Sequence, residues 1–205
     1  AFEARTRAAI TSKKWREALE NCKKWAKDEP FSSRATIEGS FIASSFAWSN
    51  EDARALCNFG LIANPNDETL LNYKAVTLIR SGKLDEANTI LLDIQNHSVE
   101  GTMEPFLPAT TGLLHFARGE LNKGRESYLK AIDIARKLKA PDSQFRAVIH
   151  WIYEEIAAGS LAADEIEKTQ KIVDDTANKF RLNPFTLDIW SVMKEKFIGM
   201  SRLKS

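Results

Sequence analysis

Apolar side chains recur at helical spacing in two stretches between residues 67 and 95, and Ser81-Gly82 separates the two stretches. The apolar positions are Leu70, Leu71, Ala75, Leu78 and Ile79 before the break, and Leu84, Ala87, Ile90, Leu91 and Ile94 after it. This spacing predicts two amphipathic helices joined by a glycine turn. Neither helix is long enough to bury its apolar stripe alone, so the pair needs neighbours.

The rest of the chain supplies similar segments. Helical patterns cover about 2–10, 13–27, 33–46, 144–158, 162–182 and 184–200, and turn-forming residues separate them. The sequence has only nine Gly and six Pro, and it shows no strand-like alternation rich in Val and Thr. The pattern therefore predicts an all-α protein.

Small residues open the second helix of successive pairs at a nearly constant interval. Ala18 and Ala53 lie 35 residues apart, and Ala53 and Ala87 lie 34 apart. The pair Cys22 and Cys57 keeps the 35-residue interval. A period close to 34 residues is typical of a solenoid built from helix–turn–helix units.

The second helices also carry a small–large–small pattern at fixed spacing, with a closing proline in the first two units. The second-helix residues are Ala18, Cys22, Trp25 and Pro30; Ala53, Cys57, Gly60 and Pro65; Ala87, Leu91 and Ile94; and Gly124, Tyr128 and Ala131. Gly82 and Gly119 stand at the turns of the third and fourth units, and Gly112 stands where the first helix of the fourth unit needs a small residue. In these positions the chain resembles the tetratricopeptide repeat (TPR) family. Ile37, Leu71 and Pro108 stand where the family's first helices carry tryptophan. The resemblance implies an all-α, right-handed superhelical solenoid of antiparallel helix pairs.

The repeat pattern also divides the chain. Four repeats are expected at about 1–31, 32–66, 67–99 and 104–140, followed by a divergent fifth helix pair at 141–182 and a C-terminal capping helix at 183–205. Terminal units of a solenoid commonly diverge because they must cover the exposed core.

In this family the first helices line a concave groove that binds peptides. The resemblance places these residues in the groove: Glu38, Ile42, Phe46, Asn72, Tyr73, Val76, Arg80, Phe106, Leu113 and Phe116, with Arg146, Ile149, His150 and Tyr153 in the fifth pair. The surface is mostly apolar, which favours an amphipathic helix or an extended segment of a protein partner. Tyr73, Phe46, Arg80 and Phe116 are the expected anchors. The alternative is a groove filled by the final helix.

The final helix offers a second kind of function. Trp190, Met193, Phe197 and Ile198 give it an unusually apolar face, which could cap the solenoid or form a homodimer through 184–200. A third alternative is that the chain regulates an enzyme fused to it. The sequence begins without methionine, which suggests a piece of a longer protein.

Charge argues against nucleic-acid and membrane partners. Lys and Arg number 29 against 28 Asp and Glu, so the net charge is only +1. The basic run at Lys13, Lys14 and Arg16 is expected to form a solvated helix face. No stretch is long and apolar enough to predict a membrane span. Cys22 and Cys57 are expected to be small core residues, and a reducing cytoplasm is the default location.

Catalytic and metal-binding motifs are not found, so the chain is predicted to be a non-enzymatic protein that needs no cofactor. The three histidines, His97, His115 and His150, lack metal-ligand spacing. His115 is expected to be a core histidine. The pairs Glu154-Glu155 and Asp174-Asp175 are expected to be solvated charges, because neighbours on a helix point in different directions.

Overall fold

The computed structural model describes residues 1–97 and 105–202, and every regular element in these ranges is helical. Residues 98–104 and 203–205 lie outside the description, as do the side chains at 163, 198 and 200–202. These gaps take in the end of the predicted third repeat, the start of the fourth, and Ile198. The helices are α1 (Phe2–Thr11), α2 (Trp15–Asp28), α3 (Ser33–Ile42), α4 (Asn50–Ala63), α5 (Glu68–Arg80), α6 (Leu84–His97), α7 (Phe106–Ala117), α8 (Leu121–Lys137), α9 (Pro141–Ala157), α10 (Ala163–Lys179) and α11 (Pro184–Arg202).

The chain divides into two compact units, Ala1–Met103 and Glu104–Ser205. In the first unit, α1 pairs with α2, α3 with α4, and α5 with α6, and each pair packs on the next. In the second unit, α7 pairs with α8, and α8 packs on α9. Helix α11 then packs against both α9 and α10.

The turns within four of the five helix pairs share one backbone design, a left-handed residue with two hydrogen bonds. At Gly82, φ is 75°; its N–H donates to the Ile79 carbonyl at 3.0 Å, and the N–H of Lys83 donates to the Leu78 carbonyl at 2.9 Å. Gly119 and Gly159 repeat this arrangement at φ 75° and 76°. Glycine suits these positions because it has no Cβ to clash in the left-handed region.

The first pair makes the same turn without glycine. Lys13 has φ 55°, its N–H donates to the Ile10 carbonyl at 2.9 Å, and the N–H of Lys14 donates to the Ala9 carbonyl at 2.9 Å. The second pair departs further, since its left-handed residue is Trp48, at φ 51°. The first two turns therefore hold bulky residues in a strained backbone conformation.

The small residues of the repeat lie where helices cross. Ala18, Ala53 and Ala87 are fully buried. At the α7–α8 crossing, a Cβ added to Gly112 would lie 2.8 Å from the Tyr128 ring and 3.2 Å from the carbonyl oxygen of Gly124. Larger side chains at these alanine and glycine positions would push the helices apart, which accounts for the sequence period.

Helix α3 ends earlier than the apolar pattern predicts. It gives way at Ile42 to a π-helical turn, Ala43–Ala47, which Trp48 closes in the left-handed conformation. The N–H of Ser49 reaches back to the Ala43 carbonyl at 3.0 Å. A π-helical turn rotates each residue less than an α-helix does, so the side chains after Ile42 point in directions that an α-helical register does not give.

The apolar face of α11 is buried inside the second unit. Trp190, Met193 and Phe197 are each at most 5% exposed. Trp190 meets Phe145 of α9 edge-on at 6.4 Å, and Phe197 lies 6.0 Å from Tyr153 of the same helix. Three of the four side chains named for the dimer alternative, Trp190, Met193 and Phe197, are therefore packed within the chain.

Candidate protein-binding surface

The predicted groove residues of α3 and of the π-helical turn lie in different environments. Ile42 is fully buried, and Phe46 is 7% exposed because its ring stacks on Trp15 of α2, with centroids 3.8 Å apart and planes within 9°. The π-helical turn causes this, since it directs Phe46 toward α2. Ile42 and Phe46 are therefore core residues, and neither forms part of an accessible groove.

The remaining α3 residue of that set, Glu38, joins an ion-pair network with α1. Arg7 donates from Nη1 to the Glu38 carboxylate at 3.3 Å. Arg34 of α3 pairs in turn with Glu3 of α1. These partly exposed pairs neutralise each other's charge, so the α1–α3 surface presents little net charge to a partner.

Helix α5 holds three accessible residues of the predicted groove. Tyr73 and Val76 are half-buried, and Arg80 is exposed. Between them and the core lies Asn72, which is 8% exposed. Its carboxamide oxygen is buried and accepts no hydrogen bond from any residue that the structure describes. A buried polar atom of this kind is uncommon, because desolvation without a partner costs free energy.

In the second unit the predicted residues separate into core and surface. Leu113 and Phe116 are each 7% exposed, and the Phe116 ring packs over Gly124 and lies 6.0 Å from the ring of Tyr128. They are core residues, which corrects the expectation that Phe116 anchors a partner. Phe106 is 41% exposed, and the guanidinium of Arg146 lies 5.5 Å from its ring centre.

Helix α11 covers part of the predicted surface of the fifth pair. Ile149 is fully buried, and Tyr153 packs on Phe197. His150 is half-buried on the same helix. At Tyr153, then, the chain's own final helix occupies the position expected for a ligand, as the self-filling alternative proposes.

The pair Glu154-Glu155 is buried rather than solvated. The two residues are 7% and 8% exposed. Arg125 of α8 donates two hydrogen bonds to Glu155, and Trp151 and Ser160 donate one each. Burial alone would raise the pKa of Glu155, but these donors outweigh burial and hold the pKa below its usual value. The site links helices and has the character of a structural ion pair.

His115, Cys22 and Cys57 were each expected to be core residues, and the structure confirms this for the two cysteines only. His115 is half-buried rather than core, and its Nδ1 lies 2.6 Å from the Glu120 carboxylate. Cys22 and Cys57 are free and fully buried, which confirms their core assignment. Burial raises the pKa of the Cys22 thiol to about 12 and that of Cys57 to about 11.

The described parts of the chain contain neither a metal-ligand cluster nor a membrane-spanning helix. Across residues 1–97 and 105–202, no group of three or more His, Cys, Asp or Glu side chains is placed to hold a metal ion. Within the same ranges, no helix combines the length and the apolar character needed to cross a membrane.

Sequence reasoning missed an open cleft next to the Trp15–Phe46 stack. We call it the Trp15 cleft; its volume is about 420 Å³, and its lining is Lys14, Trp15, Arg16, Glu17, Phe46 and Ala47. The available signal was a tryptophan directly after two lysines, but the α-helical register placed Phe46 elsewhere.

Comparison with known proteins supports the architecture. No protein-family model matches the chain, and no curated protein sequence matches it. A solved structure titled MamA RS-1 ArsTM double mutant aligns with 100% of this chain and 94% of its own, with a TM-score of 0.53 and 15% identity. MamA is a TPR-containing protein, so the likeness shows that the chain has a TPR-like helical-repeat fold.

Proposed function

We propose that the chain is a non-catalytic protein-binding module that holds an extended segment of a partner protein on the exposed face of α5. The proposal joins a TPR-like fold to one observation, the buried carboxamide oxygen of Asn72 that lacks a hydrogen bond among the described residues. In the finer form of the proposal, the helix pairs stack as a right-handed solenoid and α5 contributes to its concave side.

The chemistry of α5 fits a peptide backbone. The Asn72 oxygen is an acceptor that an N–H of an extended segment would satisfy once the carboxamide turns toward the surface, and a satisfied buried acceptor is stabilising. Tyr73 and Val76 supply apolar contact area beside it, and Tyr is a frequent anchor residue in protein interfaces. Arg80, one turn beyond Val76, would favour a carboxylate at that end of the segment.

The α5 face is tested by variants that separate binding from folding. Tyr73→Ala should abolish recovery of the partner protein in an affinity pull-down while leaving the Tm nearly unchanged. Asn72→Leu should also abolish recovery, yet it should keep or raise the Tm because it removes an unsatisfied polar group from the interior. Leu92→Ala is the matched control, since Leu92 is a 50% exposed apolar residue on α6 of the same unit.

Two results would contradict the proposal. If Tyr73→Ala lowers the Tm as strongly as a core substitution, Tyr73 is a packing residue. If the same proteins are recovered by the wild type and by both α5 variants, the binding surface lies elsewhere on the chain. Recovery by the wild type and by Leu92→Ala alone supports the α5 face.

A further inference from the structure

The Trp15 cleft lies at the start of α2, against the π-helical turn that follows α3. Its apolar part is formed by the stacked rings of Trp15 and Phe46 and by Ala47. Phe46 is the buried ring of this stacked pair, whereas Trp15 is only half-buried. The cleft therefore presents an aromatic surface to solvent, and the ring beneath it keeps that surface rigid.

Two strained turns flank this cleft. Lys13 precedes the lining residues Lys14 and Trp15, and Trp48 follows the lining residues Phe46 and Ala47. Both have positive φ, at 55° and 51°, where the third to fifth pairs use glycine. Non-glycine residues in this conformation, like π-helical turns, concentrate at functional sites, where the surrounding structure holds them in place. Of the three non-glycine residues with positive φ among the described residues, Lys13 and Trp48 flank the cleft, and Lys139 lies in the α8–α9 turn.

The rim of the cleft is cationic. Lys14 and Arg16 are exposed lining residues, and Lys13 adjoins them. Glu17 is the only carboxylate in the lining, and it is 3.6 Å from the Lys14 ammonium. The cleft therefore carries a local positive charge, although the whole chain has a net charge of only +1.

We propose that the Trp15 cleft is a binding site for an acidic segment of a partner protein. One large apolar side chain of the segment would pack on Trp15, and flanking carboxylates would pair with Lys14 and Arg16. An acidic polypeptide is favoured over nucleic acid, because Glu17 stands within the lining and the nearly neutral chain supplies little attraction for a phosphate backbone. This site lies on α2 and the π-helical turn, and it does not depend on the α5 face.

The test uses fluorescence anisotropy with a fluorescein-labelled decapeptide in which Phe and Leu alternate with Asp and Glu. Saturable binding is expected, and it should weaken as salt is raised. Arg16→Glu should weaken binding about tenfold, because it reverses a charge at the rim, and Trp15→Ala should weaken it at least as much. Glu17→Gln should strengthen binding, since it removes the opposing carboxylate.

Controls keep the result specific to this cleft. Tyr73→Ala and the exposed α8 variant Lys130→Glu should bind the acidic peptide as the wild type does, so a failure here is distinct from a failure of the α5 face. Arg16 is exposed, so Arg16→Glu should fold even if Trp15→Ala does not. Circular dichroism verifies folding of each variant.

Three outcomes would overturn the proposal. One is absence of saturable binding by the acidic peptide. Another is equal binding of a peptide with Lys in place of Asp and Glu, or tighter binding of a single-stranded oligothymidine. The third is a wild-type dimer in sedimentation that Arg16→Glu converts to a monomer, which would assign the cleft to a second copy of the chain.

Discussion

Arg125 of α8 lies along the carboxylate of Glu155 of α9, and its guanidinium donates from Nε at 2.7 Å and from Nη2 at 2.9 Å. Trp151 Nε1 adds a third hydrogen bond at 2.9 Å, and the Ser160 hydroxyl adds a fourth. A buried carboxylate with this many donors is well compensated for the loss of water. The contact joins the fourth helix pair to the fifth.

Glu155→Gln should lower the free energy of unfolding by about 2 kcal/mol, because the amide keeps the shape but turns an acceptor into a donor facing other donors. Urea unfolding measures the change. Glu126→Gln, at an exposed position of α8, is the control, and it should stay within about 0.5 kcal/mol of the wild type. If both variants change the free energy of unfolding by the same small amount, the Arg125–Glu155 ion pair contributes nothing to stability.

Acid should destabilise the second unit through the same carboxylate. The folded-state pKa of Glu155 lies below its usual value of 4.5, so its stabilising contribution is present above that pH and is lost as the pH falls through the folded-state value. Asp174 acts in the same direction: burial alone would raise its pKa, but hydrogen bonds from Lys194 and Trp190 lower it. The Tm should decrease as the pH is lowered below about 4.5. The slope of Tm against pH should be shallower in Glu155→Gln. Identical slopes would exclude Glu155 as a contributor.

Gly112→Ala should destabilise the protein by about 1–2 kcal/mol, since the overlap with Tyr128 outweighs the helix propensity gained from alanine. Gly199→Ala on α11 is the matched control. A Cβ at Gly199 meets nothing within 4 Å, so this variant should be stabilised by up to about 1 kcal/mol. Chemical denaturation of both variants gives the comparison, and the same sign for both would refute the close crossing of α7 and α8.

Opposite substitutions at two equivalent turns should have opposite effects. Gly82→Ala should cost about 1–2 kcal/mol from the backbone alone, because a Cβ there touches nothing. Lys13→Gly should stabilise by up to about 1 kcal/mol, because it relieves a positive φ at a small entropic cost in the unfolded chain. Differential scanning calorimetry measures the Tm of both variants. A lower Tm for Lys13→Gly than for the wild type would show that the turn is not strained.

The two cysteines should resist alkylation in the folded protein. Their raised pKa values and complete burial leave almost no accessible thiolate at pH 8. Labelling with iodoacetamide should be at least about a hundredfold slower than in 6 M guanidinium chloride, a common unfolding condition. Rapid labelling of the native protein, followed by mass spectrometry, would place a cysteine at the surface instead.

The local pattern of apolar residues was sufficient to predict the helices, because a helix that buries one apolar stripe repeats its apolar residues at helical spacing. Gly112 and Gly124 were identified from the sequence only as small residues of the repeat, and the structure places them at the α7–α8 crossing. The π-helical turn was not foreseeable: the segment ASSFA contains no helix breaker, and it packs with Phe46 stacked on Trp15 of a neighbouring helix.

The candidate site was harder to predict than the fold. Placement of Phe46 and Phe116 in a groove relied on a resemblance between repeats, and neither the π-helical turn nor the packing of Phe116 over Gly124 is visible in that resemblance. Glu155 was expected to be solvated because only its own helix was considered. Its partner, Arg125, lies 30 residues upstream on another helix. Spacing rules apply within one helix, so they could not predict this contact.

The left-handed turns have a consequence for how such chains diverge. Four of the five turns are specified by two main-chain hydrogen bonds, and Lys13 shows that a glycine is not indispensable there. The turn itself therefore makes few demands on side chains, and it contributes little to a recognisable sequence pattern in each repeat. Repeat chains of this design can therefore share a shape while sharing little sequence, as the 15% identity to the MamA structure at a TM-score of 0.53 shows.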